Sequence, residues 1–194
     1  MLLNTAVGAQ IFNAGSADIW GVEGQYEKAI GDSGLLGFGA MYTNAEFKEF
    51  EPLEEAIQCV GDPSCDGINT IPSDATGNTM PNAPEWILTF SYDHVWNVGA
   101  GELVGSIFSR YKSDYYNTVF NYSDDEQEAY TQTDVSLEWV SGNESWSVMG
   151  YVRNLEDERP ISYATFVSAG PGNDDFNWLF GAPRTYGVKV AFNF

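Results

Sequence analysis

Thr185-Tyr186-Gly187-Val188-Lys189-Val190-Ala191-Phe192-Asn193-Phe194 closes the chain. Taken alternately, it puts Tyr186, Val188, Val190, Phe192 and Phe194 on one face and Gly187, Lys189, Ala191 and Asn193 on the other. A period of two marks a strand. An apolar face opposite a polar one means that the two faces meet different media.

The same period recurs upstream. Residues 17–30 set Trp20, Val22, Gly24 and Tyr26 against Gly21, Glu23, Gln25 and Glu27. Residues 35–44 align Leu36, Phe38, Ala40 and Tyr42. Residues 85–96 align Trp86, Leu88, Phe90 and Tyr92 opposite Thr89, Ser91 and Asp93. Residues 102–116 set Leu103, Ile107, Tyr111 and Tyr115 against Ser106, Arg110 and Lys112, with Val104 and Phe108 blurring the pattern. Residues 129–140 set Val135, Leu137 and Trp139 against Gln132, Asp134, Ser136 and Glu138. From Trp146, Val148, Gly150 and Val152 alternate with Ser147, Tyr151 and Arg153. These seven strands are joined by a weaker candidate at 6–12, giving an all-β antiparallel segment of about seven to eight strands.

The connections alternate in length. Short turns lie at 31–34, 97–101 and 141–144; long or medium polar stretches run over 45–82, 117–128 and 155–181. Outer-membrane barrels have short turns at one rim and long loops at the other, and a strand of about 9–11 residues crosses the hydrocarbon at a tilt. Aromatics near strand ends (Trp86, Tyr92, Trp96, Trp139, Trp146) fit interfacial girdles. Packing inside a soluble sheet is the plainer alternative for them.

Composition narrows the classes. Aromatics make up 15% of the 194 residues, which excludes a disordered chain. Eight basic residues against 28 acidic ones, net charge −20, leave no cationic surface for phosphates, so no nucleic-acid partner is expected. No run of 18 apolar residues offers a membrane-spanning helix, which says nothing against a barrel. The start, Met1-Leu2-Leu3-Asn4-Thr5, lacks a basic, then apolar, leader. An outer-membrane protein needs one, so more chain is expected upstream.

Cys59 and Cys65, six apart in a polar stretch, fit a local disulfide in an oxidising compartment. Two free thiols are the plainer alternative. Zinc is the least supported, since two thiolates make half a tetrahedral shell and His94 is the sole histidine.

Several segments resemble a known family. Val152-Arg153-Asn154-Leu155-Glu156-Asp157-Glu158 and Gly181-Ala182-Pro183-Arg184-Thr185-Tyr186-Gly187-Val188 look like the "VRNLxDE" and "GAPRTYGV" segments of TonB-dependent receptors. Asn13-Ala14-Gly15-Ser16-Ala17 with Gly21-Val22-Glu23-Gly24, and Gly77-Asn78-Thr79-Met80-Pro81-Asn82-Ala83-Pro84, are similar to the "NAGxA…GVE" and "GNxxPNAP" segments of the same family. The four occur in family order over nearly the whole chain.

The resemblance implies that residues 1–194 are the C-terminal portion of a transmembrane barrel of about 22 strands with a plugged lumen. The plug domain and TonB box have no counterpart in these residues. It implies a Gram-negative outer membrane, with the C-terminus on the periplasmic side. It also implies import of a scarce nutrient such as a ferric siderophore, energised by the TonB–ExbB–ExbD system through the missing N-terminal region. Outer-membrane lipid and the barrel-assembly machinery are the further partners, Phe194 serving as the assembly signal. No cofactor is implied. A passive porin-like channel and a soluble β-sheet module with acidic loops are the competing functions.

Charge on the lipid face of a barrel costs about 2–4 kcal/mol at midplane. Glu23, Gln25, Arg110, Lys112, Glu138, Arg153 and Lys189 are therefore expected to face the lumen. Tyr116, Phe120, Tyr122, Phe176 and Trp178 lie in or beside outer loops and are candidate ligand contacts; loop packing is the simpler role.

The loops are acidic. Seven carboxylates between Glu46 and Asp66 face one lysine, Lys48, and Asp114, Asp124, Asp125, Glu126 and Glu128 follow in the next loop. Solvated loop charge is the preferred reading, and no calcium-loop spacing or other metal site is expected. No nucleophile elbow, phosphate loop or histidine pair appears, so no catalytic residue is proposed and the chain is not expected to be an enzyme.

Overall fold

In the computed structural model, residues 2–5, 8–11, 15–50, 53–58, 68–168 and 174–193 are described. Cys59, Cys65 and Phe194 lie outside them. Seven strands form one sheet: β1 (Ser16–Ile30), β2 (Gly34–Glu49), β3 (Trp86–Val98), β4 (Gly101–Lys112), β5 (Tyr130–Ser141), β6 (Trp146–Arg153) and β7 (Thr185–Phe192). Their spatial order is their chain order, and each neighbouring pair is antiparallel.

The seven strands expected from periodicity are these seven, with shifted ends. β2 runs on to Glu49 because Ala17, Asp18 and Ile19 continue to pair with Phe47, Glu46 and Ala45. β4 stops at Lys112, short of Tyr116. There the Ser113 N–H donates to the Trp86 carbonyl (2.9 Å) and the Ser113 hydroxyl accepts from the Trp86 N–H (3.1 Å), which ends the β3–β4 ladder. The strand expected at 6–12 is present at Gly8–Ile11, but it pairs with Leu2–Thr5 in a short hairpin and not with the main sheet. Four-residue arms are too short to cross a bilayer.

Turn chemistry sets one rim. Gly31 (φ 61°) and Gly99 (φ 64°) take the left-handed conformation that tight hairpins demand, and Glu144 (φ 53°) does so in the third turn. The long connections leave the opposite rim. They contain the hairpins Leu53–Gln58 with Ile68–Ser73 and Ile161–Ser168 with Asp174–Phe180. Both segments read as polar loop in the sequence, because the Gly, Asp, Asn and Pro residues around them hid short stretches of mixed β-branched and aromatic residues such as Ile161 to Ser168.

The sheet has no core of its own among the described residues. The packed cluster sits at the long-loop rim, where Phe47, Phe50, Ala75 and Val119 are buried together and Met80 and Phe120 pack against them. The Phe47 and Phe50 rings meet edge-on at 4.6 Å. Gly77 (φ 86°) turns the chain so that its N–H reaches the Phe47 carbonyl (2.7 Å), and the Phe47 N–H reaches the Asn78 carbonyl (3.0 Å). The Asn78 side chain donates across to the Val119 carbonyl (2.8 Å). The Gly77–Pro84 segment thus fastens two outer loops to the extended end of β2.

Candidate functional site

Register places every strand's alternating set on common faces. One face carries Trp20, Val22 and Tyr26 on β1, then Phe38 and Tyr42, Leu88 and Phe90, Ile107, Val135 and Leu137, Val148 and Val152, and finally Tyr186, Val188, Val190 and Phe192 on β7. Many are largely exposed: Tyr186 is 80% and Val188 73% accessible. A continuous exposed apolar band of this extent requires an apolar medium or a partner.

Its two edges are aromatic. At the long-loop rim Trp20, Tyr42 and Trp86 lie in a row, with ring centroids 5.3 and 4.9 Å apart. At the short-turn rim Trp139 and Trp146 are 4.9 Å apart, and His94 lies 4.5 Å from Trp96. On β3 the girdles are ten residues apart, from Trp86 to Trp96. At about 3.3 Å per residue and a tilt of roughly 40°, that spans about 25 Å, the height of the apolar band of an outer-membrane barrel. Two polar pairs on this face bond each other: the Ser109 and Thr133 hydroxyls (2.9 Å), and Tyr92 Oη with His94 Nδ1 (2.8 Å). His94 is a girdle residue.

The other face is polar. Glu23, Gln25, Arg110, Lys112, Glu138, Arg153 and Lys189 all fall on it by register. It holds a cleft of about 830 Å³ whose lining includes Asp93, Asp134, Arg153 and Lys189. Arg153 lies over the Tyr151 ring at 5.5 Å. Among the described residues the side-chain ion pairs are limited to Lys48–Glu46 (2.7 Å), outside this face. Val104 and Phe108, which blurred the alternation, also lie on it, so the polar wall has apolar patches.

The candidate ligand residues occupy two loops. Phe120 and Tyr122 stack at 5.5 Å with planes 15° apart, and Tyr116 pairs with Glu126 in a short bridge. Trp178 pairs in register with Ala164 in the last hairpin and lies 6.4 Å from Phe180. Phe176 pairs with Phe166; its side chain is outside the described set. Tyr115 is buried against Tyr130, and burial, then the neighbouring Tyr130, raises its phenol above the usual range.

One loop acid departs from the expected solvated charge. Asp125 is fully buried and accepts from the Thr118 hydroxyl, and its Oδ1 has no partner, nor does Oδ1 of Asn117. Burial pushes its carboxyl above the usual range, and the Thr118 bonds only partly oppose that. Among the described residues no group of three His, Cys, Asp or Glu side chains converges.

The two C-terminal motifs meet in space. Asn154 (φ 56°, buried) bonds the Glu158 and Ala182 carbonyls, and Asp157 accepts from the Arg184 N–H. Sequence showed these motifs without showing that they touch.

Comparison with known proteins agrees with this geometry. No curated protein sequence matches the chain. The ferric yersiniabactin uptake receptor FyuA from Yersinia pestis is 21% identical. It superposes with a TM-score of 0.72 over 94% of this chain and 24% of its own. The siderophore receptor PiuA from Acinetobacter baumannii is 18% identical, with a TM-score of 0.61 over 90% of this chain and 21% of its own. The chain therefore spans under a quarter of either receptor, and at these identities the likeness is one of fold. A family model described as "TonB dependent receptor-like, beta-barrel" matches residues 2–155, and the chain belongs to that family of TonB-dependent receptor barrels.

Proposed function

We propose that residues 1–194 form the C-terminal part of the barrel of an outer-membrane importer that takes up a scarce nutrient such as a ferric siderophore, energised through TonB. The observation that carries the reading is the sheet itself. Seven antiparallel strands in chain order have a banded apolar face, a polar face, short turns at one rim and long loops at the other. Such a sheet has two open edges, β1 and β7, and in lipid every backbone polar group needs a partner. The remaining strands of a larger barrel supply that partner.

In this reading the polar face lines the lumen. Arg110, Lys112, Arg153, Lys189, Glu23, Gln25 and Glu138 form wall polarity against a plug supplied by another part of the receptor. The short-turn rim, where β7 ends, is periplasmic, and Phe194 marks the chain for barrel assembly. The loop aromatics Tyr116, Phe120, Tyr122, Phe176 and Trp178 are the ligand contacts on the outer side. FyuA is an uptake receptor for ferric yersiniabactin, and PiuA is a siderophore receptor. A ligand of that iron-chelate class is proposed by analogy.

Uptake of ⁵⁵Fe by iron-starved source cells tests this. Deleting the gene should lower uptake of one added siderophore complex, and deleting TonB should lower it equally. Uptake that falls with the gene but survives loss of TonB would replace the reading with a passive channel.

A further inference from the structure

The base of the last outer loop is laced shut by bonds that neither wall nor ligand contact requires. Asn154 is buried and sits at φ 56°. Its amide donates to the Glu158 carbonyl (2.7 Å) and the Ala182 carbonyl (3.0 Å), and its Oδ1 accepts from the Glu158 N–H (3.0 Å). Asp157 (φ 62°) accepts from the Arg184 N–H (2.8 Å), and Arg184 Nη1 donates to the Leu155 carbonyl (3.1 Å). Pro160 accepts from the Gly181 N–H (2.8 Å) and packs on that glycine. Both chain arms of the loop are therefore joined before the hairpin begins.

The laced segment is also anchored sideways. Asp134 accepts from the Asn154 N–H (2.9 Å), Glu156 accepts from the Thr133 N–H (2.7 Å), and Gln127 Oε1 accepts from the Ile161 N–H (2.6 Å). Gln127 closes the bridge with Tyr115 in the preceding loop, the loop that carries the Phe120–Tyr122 stack. Above the lacing, Tyr163, Trp178 and Phe180 are exposed by 50%, 41% and 58%.

We propose that residues 154–160 and 181–184 form a clasp centred on Asn154, which presets the last outer hairpin relative to the neighbouring loop. The aromatic groups of the two loops are then offered to a ligand in one arrangement. Asn154 is a positioning residue in this scheme and touches no ligand. The purpose rests on the reading that outer loops capture the ligand: a loop ordered beforehand loses less entropy on binding. Asn is suited to the centre, since it tolerates positive φ while its side chain donates twice and accepts once.

Hydrogen exchange of the purified outer-membrane receptor, followed peptide by peptide, tests the clasp without any ligand. Asn154→Gly keeps the backbone conformation and removes the three side-chain bonds. Exchange over 161–168 and 174–180 should then rise by about tenfold or more, with β3 and β4 unchanged. Asn154→Asp keeps the acceptor and loses both donors, so it should fall between. Unchanged exchange in the hairpin of Asn154→Gly would overturn the proposal. So would acceleration of all strands together, which would make Asn154 a general stabiliser. A failed uptake assay sinks the transport reading and leaves these exchange outcomes standing.

Discussion

Phe90 and Ser91 are neighbours in β3 that face opposite media, so one substitution made at both positions tests the assignment of the faces. Phe90 lies near the middle of the apolar band, and its ring pairs with Phe38 at 5.2 Å. An arginine there places a charge near midplane, about 2–4 kcal/mol. It also removes an aromatic pair worth roughly 0.5–1.5 kcal/mol. The expected loss for Phe90→Arg is about 3–5 kcal/mol. Ser91 lies on the polar face, above Gly37 and along the cleft that contains Asp93. A long side chain has room over the glycine and an acid nearby, so Ser91→Arg should cost within about 0.5 kcal/mol of nothing. Both variants would be made in the complete reading frame. Folded barrel would be scored by heat-modifiable gel mobility, and stability by urea titration in lipid vesicles. Equal losses at the two positions, or a harmless Phe90→Arg, would refute the face assignment.

Gly101→Ala and Gly150→Ala form a second matched pair on the apolar face. A Cβ at Gly101 would come within 2.2 Å of the Val140 carbonyl oxygen, whereas one at Gly150 meets nothing within 4 Å. The first should cost about 1–3 kcal/mol and the second under about 0.5 kcal/mol, read by the same urea titration. Phe47→Ala should open a cavity in the outer cluster at about 3–5 kcal/mol, yet leave the membrane band folded. Protease cutting confined to 74–84 and 113–129 is the expected result, and loss of the whole barrel would contradict it. Asp125 gives a pH prediction of defined sign. Its carboxyl is raised in the fold, so its contribution is present in acid and is lost as pH rises through the folded value. Asp125→Asn should slow exchange over 117–125 at neutral pH and flatten its pH dependence, because a neutral amide has no charge to desolvate; faster exchange would count against it. Asp157 has the opposite sign. The Arg184 N–H holds its carboxyl low, so the clasp should loosen only when acid protonates it.

The seven strands of the main sheet, their two faces and the alternation of short and long connections were determined by sequence alone. The reason is local: a pleat of period two sorts side chains without knowledge of partners, so Tyr186 to Phe192 declare an apolar face by themselves. The tight turns at Gly31 and Gly99 require the β1–β2 and β3–β4 pairs; the pairs that close across long connections, such as β6 with β7, do not follow from them. The rim was different. Phe47 and Val119 are far apart in sequence and lie in stretches rich in polar residues, so no periodicity announced their shared core. Asp125 looked like one solvated acid among many, and only the fold of its loop buried it. Asn154 and Ala182 were each legible as part of a motif. That the motifs touch was decided by tertiary structure, because β6 and β7 bring them together across a 28-residue separation. Sequence patterns fix what a residue prefers beside it along the chain; long-range hydrogen bonds depend on which loops the sheet sets side by side.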